Sequence, residues 1–377
     1  MSTIGIDARF YGSASKGLGR YTQKLVEHLE KNDSENKYFV FLRRENFDEY
    51  VPKNPNFKKV LADYPWYSFS EQLLFPRLLA SYKLDLMHFP HFNVPILYFR
   101  KFVITIHDLI LLHFPTKRAS TLAPLWYQFK FLAYKLVIYC AVMRSQKIIA
   151  VSQFTKNDIL TQYPSAKNKL VVTYEACEKT LLKNLQAPEQ ILEKYGIIKP
   201  YLLYVGNAYP HKNLEELISV FPAIAAKFGA LKLVLVGKED YFYERLKAQV
   251  KKEKIASVIF PGFAGDEDLG AIYQQALLYV FPSRYEGFGL PPLEAMAVGV
   301  PVVCSDSTCL PEILGDSALF FKANEQKAMA GAILKVAGDE KLRKALIAKG
   351  FEQVKKYSWG KMARETLEIY REIIEIK

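Results

Sequence analysis

The sequence predicts an α/β protein with two doubly wound parallel sheets that follow each other along the chain. Short apolar runs alternate with helical patterns, and this alternation occurs in two successive sets. Several runs are continuously apolar, which is typical of parallel strands buried on both faces, and the helices between them make βαβ units. The 377 residues also exceed the length at which a single core normally divides. The predicted strands are 3–7, 38–42, 86–89, 103–107, 147–151 and 170–173 in the first set and 201–205, 232–236, 257–260, 278–281, 302–305 and 319–321 in the second.

Two domains and a final helix follow from this arrangement. We expect a first domain over residues 1–178 and a second over 195–355, because the charged stretch between them has little strand character. Ser358 can cap a helix over 356–377 whose apolar positions follow a helical period, and this helix is placed to cross back to the first domain. Two such domains facing each other put a ligand crevice at the carboxyl ends of their strands.

Composition excludes several classes of protein. Half of the residues are apolar and 24% are charged, which is globular usage and excludes a disordered, collagen-like or coiled-coil chain as the main architecture. No stretch is apolar enough to span a membrane, and the first residues lack the features of a signal peptide. The four cysteines have neither zinc-site nor CxxC spacing. We therefore expect a cytoplasmic protein with reduced, structural thiols.

The net charge of +12 is concentrated in one stretch of the chain. Residues 51–150 carry 13 basic and 4 acidic side chains together with many aromatic residues. This combination favours contact with an anionic membrane surface, as a peripheral protein at its inner face, and a solvated basic face over a core is the plain alternative. Nucleic acid is not an expected partner, because no zinc-finger, KH or RNP pattern is present.

Two motifs of the first half follow predicted strands. Gly17-Leu-Gly19-Arg-Tyr21 comes after the first strand and before an amphipathic helix, where glycines and helix amides can approach a phosphate. A structural turn is the alternative, since the third glycine of a dinucleotide fingerprint is missing. His107 ends another strand, where its ring can donate a hydrogen bond to a sugar hydroxyl or serve only the structure.

Two further patterns look like metal sites but have simpler explanations. No carboxylate or cysteine stands at ligand spacing beside His88 and His91. Asp266-Glu-Asp268 has the DxD pattern of metal-dependent sugar transferases, yet its position before a helix suits a cap and first-turn anions. We therefore predict no metal site.

A lysine follows the first strand of the second half, in Gly206-Asn207-Ala-Tyr-Pro-His-Lys212-Asn. A cation is unfavourable where a helix begins, so a functional reason for Lys212 is favoured over a solvated surface lysine. As a flexible point charge, its ammonium group can reach a diphosphate in the crevice.

The strongest motif covers residues 281–297, again after a strand. Its Gly287-Phe-Gly289 loop can offer backbone N–H groups to an anion, and two prolines then suit the first turn of a helix. Glu286 lies before the loop and Glu294 in the first turn of the helix behind it, so each can accept hydrogen bonds from vicinal hydroxyls at one end of a ligand. A carboxylate that only stabilises the helix dipole is the alternative for Glu294.

The E-x7-E spacing from Glu286 to Glu294 resembles the retaining glycosyltransferases of family 4, the group 1 glycosyltransferases with the GT-B fold. The resemblance extends in order over essentially the whole chain. The stretch 206–213 is similar to bacterial mannosyltransferases of polysaccharide assembly. The other matching segments are 4–9, 17–21, 107–109, 151–154, 212–214 and 310–312.

This resemblance implies two Rossmann-like domains facing an interdomain crevice, with the donor bound mainly by the second and the acceptor mainly by the first. Many relatives have an arginine near the position of Asn207, so the diphosphate clamp is one charge weaker or is completed by a residue such as Arg20 or His211. The implied catalytic residues are Glu286 on the donor sugar, Lys212 on the leaving diphosphate and His107 near the sugar 6-hydroxyl. The implied donor-binding residues are Gly19, Asn207, Gly287, Phe288, Gly289, Leu290 and Glu294, the last on the nucleotide ribose.

The activity implied by the resemblance is a metal-independent hexosyl transfer with retention. The donor is expected to be GDP-mannose, a substrate and not a cofactor, and the acceptor a glycan or lipid-linked glycan in cell-surface polysaccharide synthesis. The alternatives are a UDP-sugar donor on the same fold and a non-catalytic sugar- or nucleotide-binding protein. A nucleotide-dependent oxidoreductase is disfavoured, because the dinucleotide fingerprint is incomplete and no acidic residue ends the second strand.

Overall fold

The first sheet of the protein has seven parallel strands. The structure is a computed structural model that describes residues 1–12, 16–115, 124–177 and 188–375, except for the side chains of 16 and 124–127. The strand order is β3-β2-β1-β4-β5-β6-β7, so the chain starts in the middle of the sheet and builds outward on both sides. The strands are β1 (Thr3–Asp7), β2 (Lys37–Leu42), β3 (Phe57–Leu61), β4 (Leu86–Phe89), β5 (Phe102–Ile106), β6 (Lys147–Ala150) and β7 (Leu170–Val172).

Helices connect these strands and bury their apolar sides on the sheet. One core cluster contains side chains of Phe75, Ile104 and Ile138, which come from two helices and a central strand. These continuous apolar strands need cover on both faces, which the crossover helices provide. The helices are α1 (Lys16–Asn32), α2 (Phe69–Ser81), α3 (Ile110–His113), α4 (Pro124–Arg144) and α5 (Gln153–Gln162).

The second sheet has six parallel strands in the order β10-β9-β8-β11-β12-β13. Its strands are β8 (Tyr201–Val205), β9 (Lys232–Val236), β10 (Val258–Gly262), β11 (Leu278–Phe281), β12 (Val302–Ser305) and β13 (Ala318–Phe321). The helices are α6 (Pro188–Lys194), α7 (Leu214–Phe228), α8 (Tyr241–Lys252), α9 (Asp266–Gln274), α10 (Leu290–Ala297), α11 (Leu310–Leu314), α12 (Gln326–Gly338) and α13 (Glu340–Val354). A last helix, α14, spans Trp359–Glu375.

The chain divides into two compact units. Met1–Glu175 and Ser358–Lys377 form the first, and Ala176–Tyr357 forms the second. The final helix therefore belongs to the first unit, where Tyr370 of α14 contacts His88 of β4 with a distance of 2.5 Å between Oη and Nδ1. The predicted domain limit at 178 lies outside the described residues, as do the last two residues of the predicted helix 356–377.

One strand was not expected from the sequence. All twelve predicted strands are present, but β3 is an additional strand at one edge of the first sheet. Its sequence Phe-Lys-Lys-Val-Leu has two lysines in the middle, so it lacks the continuous apolar run used to recognise the others. Charged side chains are tolerated at this position because an edge strand is only partly covered, and they discourage pairing with another chain.

The segment after β1 fixes the neighbouring elements through a buried charge network. The Arg9 side chain is fully buried, and its Nη2 lies 2.7 Å from both Asp7 Oδ2 and Glu71 Oε1. Glu71 lies in the first turn of α2 and also accepts a hydrogen bond of 2.8 Å from Asn93 Nδ2. This part of the resemblance, residues 4–9, therefore has a structural role at the carboxyl edge of the first sheet.

No helix among the described residues is both long enough and apolar enough to cross a membrane.

Candidate active site

The lysine and the glutamate with the strongest sequence signals contact each other in the second unit. Lys212 follows β8 and Glu286 follows β11, and these two strands are neighbours in the sheet. The distance between Lys212 Nζ and Glu286 Oε1 is 2.5 Å, and both side chains are close to buried. Because parallel strands end at the same edge, residues 74 positions apart become an ion pair at the predicted site.

The loop that carries Lys212 is held in place by buried tyrosines. Tyr243 Oη donates to the carbonyl of Gly206 at 2.7 Å, and Tyr204 Oη donates to that of Asn207 at 2.7 Å. A short 3₁₀ turn over Pro210–Lys212 then leads to Asn213, whose left-handed backbone (φ 61°) precedes α7. Lys212 therefore lies in a tight turn before the helix, and the first-turn acids Glu215 and Glu216 complement the helix dipole.

Hydrogen bonds join this loop to the one that carries Glu286. Arg284 N donates to the carbonyl of His211 at 2.7 Å, and Arg284 Nη2 lies 2.7 Å from Glu216 Oε1. The backbone N–H of Glu286 donates to Thr308 Oγ1 at 3.1 Å. The carboxylate is thus positioned by three loops, which follow β8, β11 and β12.

The Gly-Phe-Gly loop ends where α10 begins. Gly289 has φ 91°, a left-handed conformation that favours glycine, and a Cβ there would come within 2.8 Å of Leu310 Cδ2. Gly287 and Phe288 are buried, and Leu290 is the first residue of the helix. The positive end of the α10 dipole therefore lies a few residues from the ion pair, where it favours an anion.

Glu294 lies inside α10 and is buried, with 5% of its surface exposed. Tyr273 Oη of α9 donates to its Oε2 at 3.2 Å. It is the fifth residue of α10, so it lies beyond the first turn in which the sequence predicted it and where a carboxylate would complement the helix dipole. A buried carboxylate needs hydrogen-bond donors, and the hydroxyls of a diol are such donors.

Neither His211 nor Asn207 adds positive charge beside Lys212. Burial, followed by the Lys212 ammonium, lowers the pKa of His211 to about 4. Its ring is therefore neutral near pH 7 and adds no charge to a diphosphate clamp. Asn207 is also uncharged, and its Oδ1 accepts a hydrogen bond of 3.4 Å from Tyr209 N.

His107 belongs to the first unit and directly follows β5, which ends at Ile106, one residue earlier than predicted. Its Nδ1 lies 2.7 Å from Glu175 Oε1, and its Nε2 lies 3.0 Å from the carbonyl oxygen of Pro90. Burial lowers the pKa of His107, but the hydrogen bond and charge of Glu175 outweigh it, and the net pKa is raised. Two acceptors at the two ring nitrogens fit the doubly protonated, cationic ring.

Gly19 also belongs to the first unit. The structure places it in the first turn of α1, which begins at Lys16 and so includes the glycine motif that was expected to precede the helix. A role of the Gly19 amide in phosphate binding stays a prediction. Two residues further on, the ring of Tyr21 packs edge-on against His107, with 4.7 Å between centroids.

The sequence analysis missed several residues that position the site. Glu175, Thr308, Tyr273 and Arg284 contact His107, Glu286, Glu294 and the Lys212 loop, respectively. Arg284 lies inside the motif 281–297, but nothing in its spacing indicates its partner, and the other three lie outside every motif. Only the strand order reveals these contacts.

The residues of the DxD pattern have structural partners. Asp266 and Asp268 lie in the first turn of α9, and Asp268 Oδ2 accepts from Lys194 Nζ at 2.6 Å and from Tyr195 Oη at 2.9 Å. No group of three or more His, Cys, Asp or Glu side chains able to hold a metal occurs among the residues that the structure describes. Metal independence stays a prediction.

The arrangement in the second unit suits an anionic ligand that also carries hydroxyl groups. Lys212 and the α10 terminus favour negative charge, while Glu286 and Glu294 can accept hydrogen bonds from hydroxyls. Fold and site together define a two-domain α/β protein of the nucleotide-binding kind, with its charged groups at the carboxyl ends of the strands.

Comparison with known proteins identifies the family. A model described as "Glycosyltransferase Family 4" matches residues 15–177, and one described as "Glycosyl transferases group 1" matches 189–353. The O-antigen chain mannosyltransferase B of Escherichia coli is 29% identical over 94% of this chain and 96% of its own length. The O-antigen chain mannosyltransferase RfbU of Salmonella typhimurium is 27% identical over 71% of this chain and 69% of its own. The solved sucrose-phosphate synthase of Thermosynechococcus elongatus matches with a TM-score of 0.79 over 100% of both chains, at 20% identity.

The chain belongs to the family 4, group 1 glycosyltransferases, and its fold is GT-B. It is therefore a glycosyltransferase, as the motifs predicted.

Proposed function

We propose that this enzyme transfers mannose from GDP-mannose, with retention of configuration, to a glycan or lipid-linked acceptor in cell-surface polysaccharide synthesis. The observation that carries the proposal is the Lys212–Glu286 pair at the carboxyl edge of the second sheet. The choice of mannose is supported by two relatives named O-antigen mannosyltransferases, one of them matched over nearly its whole length.

In this proposal each half of the pair serves one half of the donor. The Lys212 ammonium binds the diphosphate and stabilises the charge that develops as the sugar–phosphate bond breaks. Glu286 accepts hydrogen bonds from sugar hydroxyls, and Glu294 accepts them from the nucleotide ribose. Because Glu286 contacts the same ammonium group, the diphosphate competes in this proposal with that carboxylate for Lys212 Nζ.

Retention is proposed to follow from attack on the face that the phosphate leaves. The acceptor hydroxyl forms the new glycosidic bond at the anomeric carbon, and its proton passes to the departing phosphate oxygen. Backbone amides near Gly289–Leu290 are proposed to assist by binding the departing diphosphate. The roles implied for Gly19 and His107 stay predictions. No step in this scheme needs a metal ion or a cofactor.

We also propose that the enzyme works in the cytoplasm at the inner face of the membrane, where lipid-linked acceptors are presented. The excess of basic over acidic residues in 51–150 supports this position.

Transfer of mannose is tested with labelled GDP-mannose and a membrane lipid extract as the source of acceptor. We expect labelled mannose in the lipid or glycan fraction and an axial, α-configured product identified by nuclear magnetic resonance or by α-mannosidase digestion. Efficient transfer from a UDP-sugar but not from GDP-mannose would reject the proposed donor, and a β-configured product would reject retention.

A further inference from the structure

Helix α4 carries two apolar stripes, and only one of them packs on the sheet. Tyr134, Val137, Ile138, Ala141 and Val142 are buried against the core of the first unit. A second stripe is exposed to solvent, and its members recur at alternating spacings of three and four residues along the helix. They are Phe129, Leu132, Leu136, Tyr139 and Met143, each exposed by between 38% and 66%.

A row of this kind is unusual for a helix on the surface of a soluble unit. Single exposed leucines are common and need no explanation. Five large apolar side chains on one line of a helix form a continuous patch, and such patches mark interaction sites. At a rise of 1.5 Å per residue, the stripe from Phe129 to Met143 is about 21 Å long.

The patch continues beyond the carboxyl end of the helix. The Arg144 guanidinium group lies 4.5 Å from the centroid of the Phe99 ring, and its Nη1 donates to the carbonyl of Ile96 at 2.6 Å. These contacts hold the 96–100 loop against the end of α4. Phe99 is 78% exposed and Leu97 is 46% exposed, so the loop adds two further apolar side chains.

Positive charge flanks this surface. Lys130 and Lys135 are exposed on α4 itself, and Lys169 Nζ donates to the carbonyl of Met143 at 2.6 Å. The sequence from 86 to 157 contains nine lysines and arginines but a single acidic residue, Asp108. The apolar stripe therefore lies in a part of the chain that has almost no carboxylates.

We propose that the α4 face, defined as the exposed stripe from Phe129 to Met143 with Leu97 and Phe99, docks on an anionic lipid bilayer. An amphipathic helix of this type lies in the plane of the interface, with its apolar side chains among the acyl chains and its lysines at the headgroups. This inference rests on the proposed membrane position of the enzyme and adds the surface that contacts the membrane.

Charge complementarity favours this occupant over a second copy of the chain. A symmetric dimer through the α4 face would bring Lys130 and Lys135 of each copy against the same basic surface of the other. Residues 86–157 contain one carboxylate, Asp108, and the next one, Asp158, is paired with His113 at 2.8 Å. Anionic headgroups supply that negative charge, and each lysine or arginine at such a surface strengthens binding roughly fivefold.

The test is co-sedimentation of the full-length enzyme with vesicles of phosphatidylglycerol and phosphatidylethanolamine, against neutral phosphatidylcholine vesicles. The test variant is Leu132→Gln with Leu136→Gln, which removes two exposed side chains without opening the core. The matched control is Ile198→Gln with Phe263→Gln in the second unit, where the side chains are 59% and 70% exposed. Circular dichroism and GDP binding show that every variant is folded.

We expect salt-sensitive binding to anionic vesicles that falls at least tenfold in the α4 variant and is unchanged in the control. Unchanged binding by the α4 variant would overturn the assignment of this face, while the membrane position would stand. Lack of binding by the wild type would overturn both, and equal binding to neutral vesicles would overturn the proposed docking on an anionic bilayer. A wild-type dimer that the α4 variant converts to a monomer would show that a second copy covers the face. Transfer from GDP-mannose to an acceptor in detergent tests the proposed activity separately.

Discussion

Replacement of Lys212 by alanine is expected to lower the turnover of sugar transfer by about 10²–10³-fold, the usual cost of losing one donor that stabilises developing charge. Lys212 lies beside Glu286, and its ammonium group can neutralise the leaving diphosphate. The neighbouring His211 ring is neutral near pH 7 and cannot do so. GDP binding is expected to weaken as well. The measurement is kcat with GDP-mannose, together with a titration of GDP.

The matched control for this variant is Lys247→Ala. Lys247 forms an ion pair with Glu239 at 2.5 Å, the same separation as in the Lys212–Glu286 pair, but on α8. Lys212→Ala leaves a nearly buried carboxylate without its cation, which lowers stability, so rates are compared at a temperature at which both variants are folded. Wild-type turnover in Lys212→Ala would remove Lys212 from the active site.

Replacement of Glu286 by alanine is expected to abolish measurable transfer but to leave GDP binding at least as tight as in the wild type. A hydrogen bond between a hydroxyl and a charged group contributes about 1.5–3 kcal/mol, so each lost sugar contact lowers the rate about tenfold to a hundredfold. GDP has no donor sugar, and without Glu286 this carboxylate no longer competes with the diphosphate for Lys212 Nζ.

The two variants therefore separate the roles of the pair, because both lower transfer but only Lys212→Ala weakens GDP binding. Glu239→Ala is the matched control, since it removes the carboxylate of the comparable surface pair. Weaker GDP binding in Glu286→Ala, with the fold intact, would contradict the division of the donor between Lys212 and Glu286.

Most of the fold could be predicted because strands that are buried on both faces appear in the sequence as short, continuous apolar runs. The strand β3 could not, because its lysines are tolerated at the sheet edge. The sequence predicts a later start for α1 than the structure shows, because the glycines of the motif indicate a loop where the structure has the first helical turn.

The site could be predicted as separate residues but not as a set of contacts. Lys212 and Glu286 each follow a strand and lie in motifs that single them out individually. Their contact depends on β8 and β11 being neighbours, a property of the strand order that spacing along the chain does not contain. Glu175 could not be predicted for the same reason. It lies 68 residues from His107 along the chain, yet its carboxylate contacts Nδ1 of that ring.

The measurement that tests the central claim most directly is a thermal-unfolding panel with GDP, UDP, ADP, dTDP, CMP and NAD. A ligand that binds the folded state at 100 times its dissociation constant stabilises it by about 2.7 kcal/mol, which raises the unfolding temperature. The account predicts a selective increase with GDP that is lost in Lys212→Ala and kept in Lys247→Ala. A selective increase with UDP would contradict the GDP-mannose donor, and no increase with any nucleoside diphosphate would contradict the nucleotide-sugar site itself.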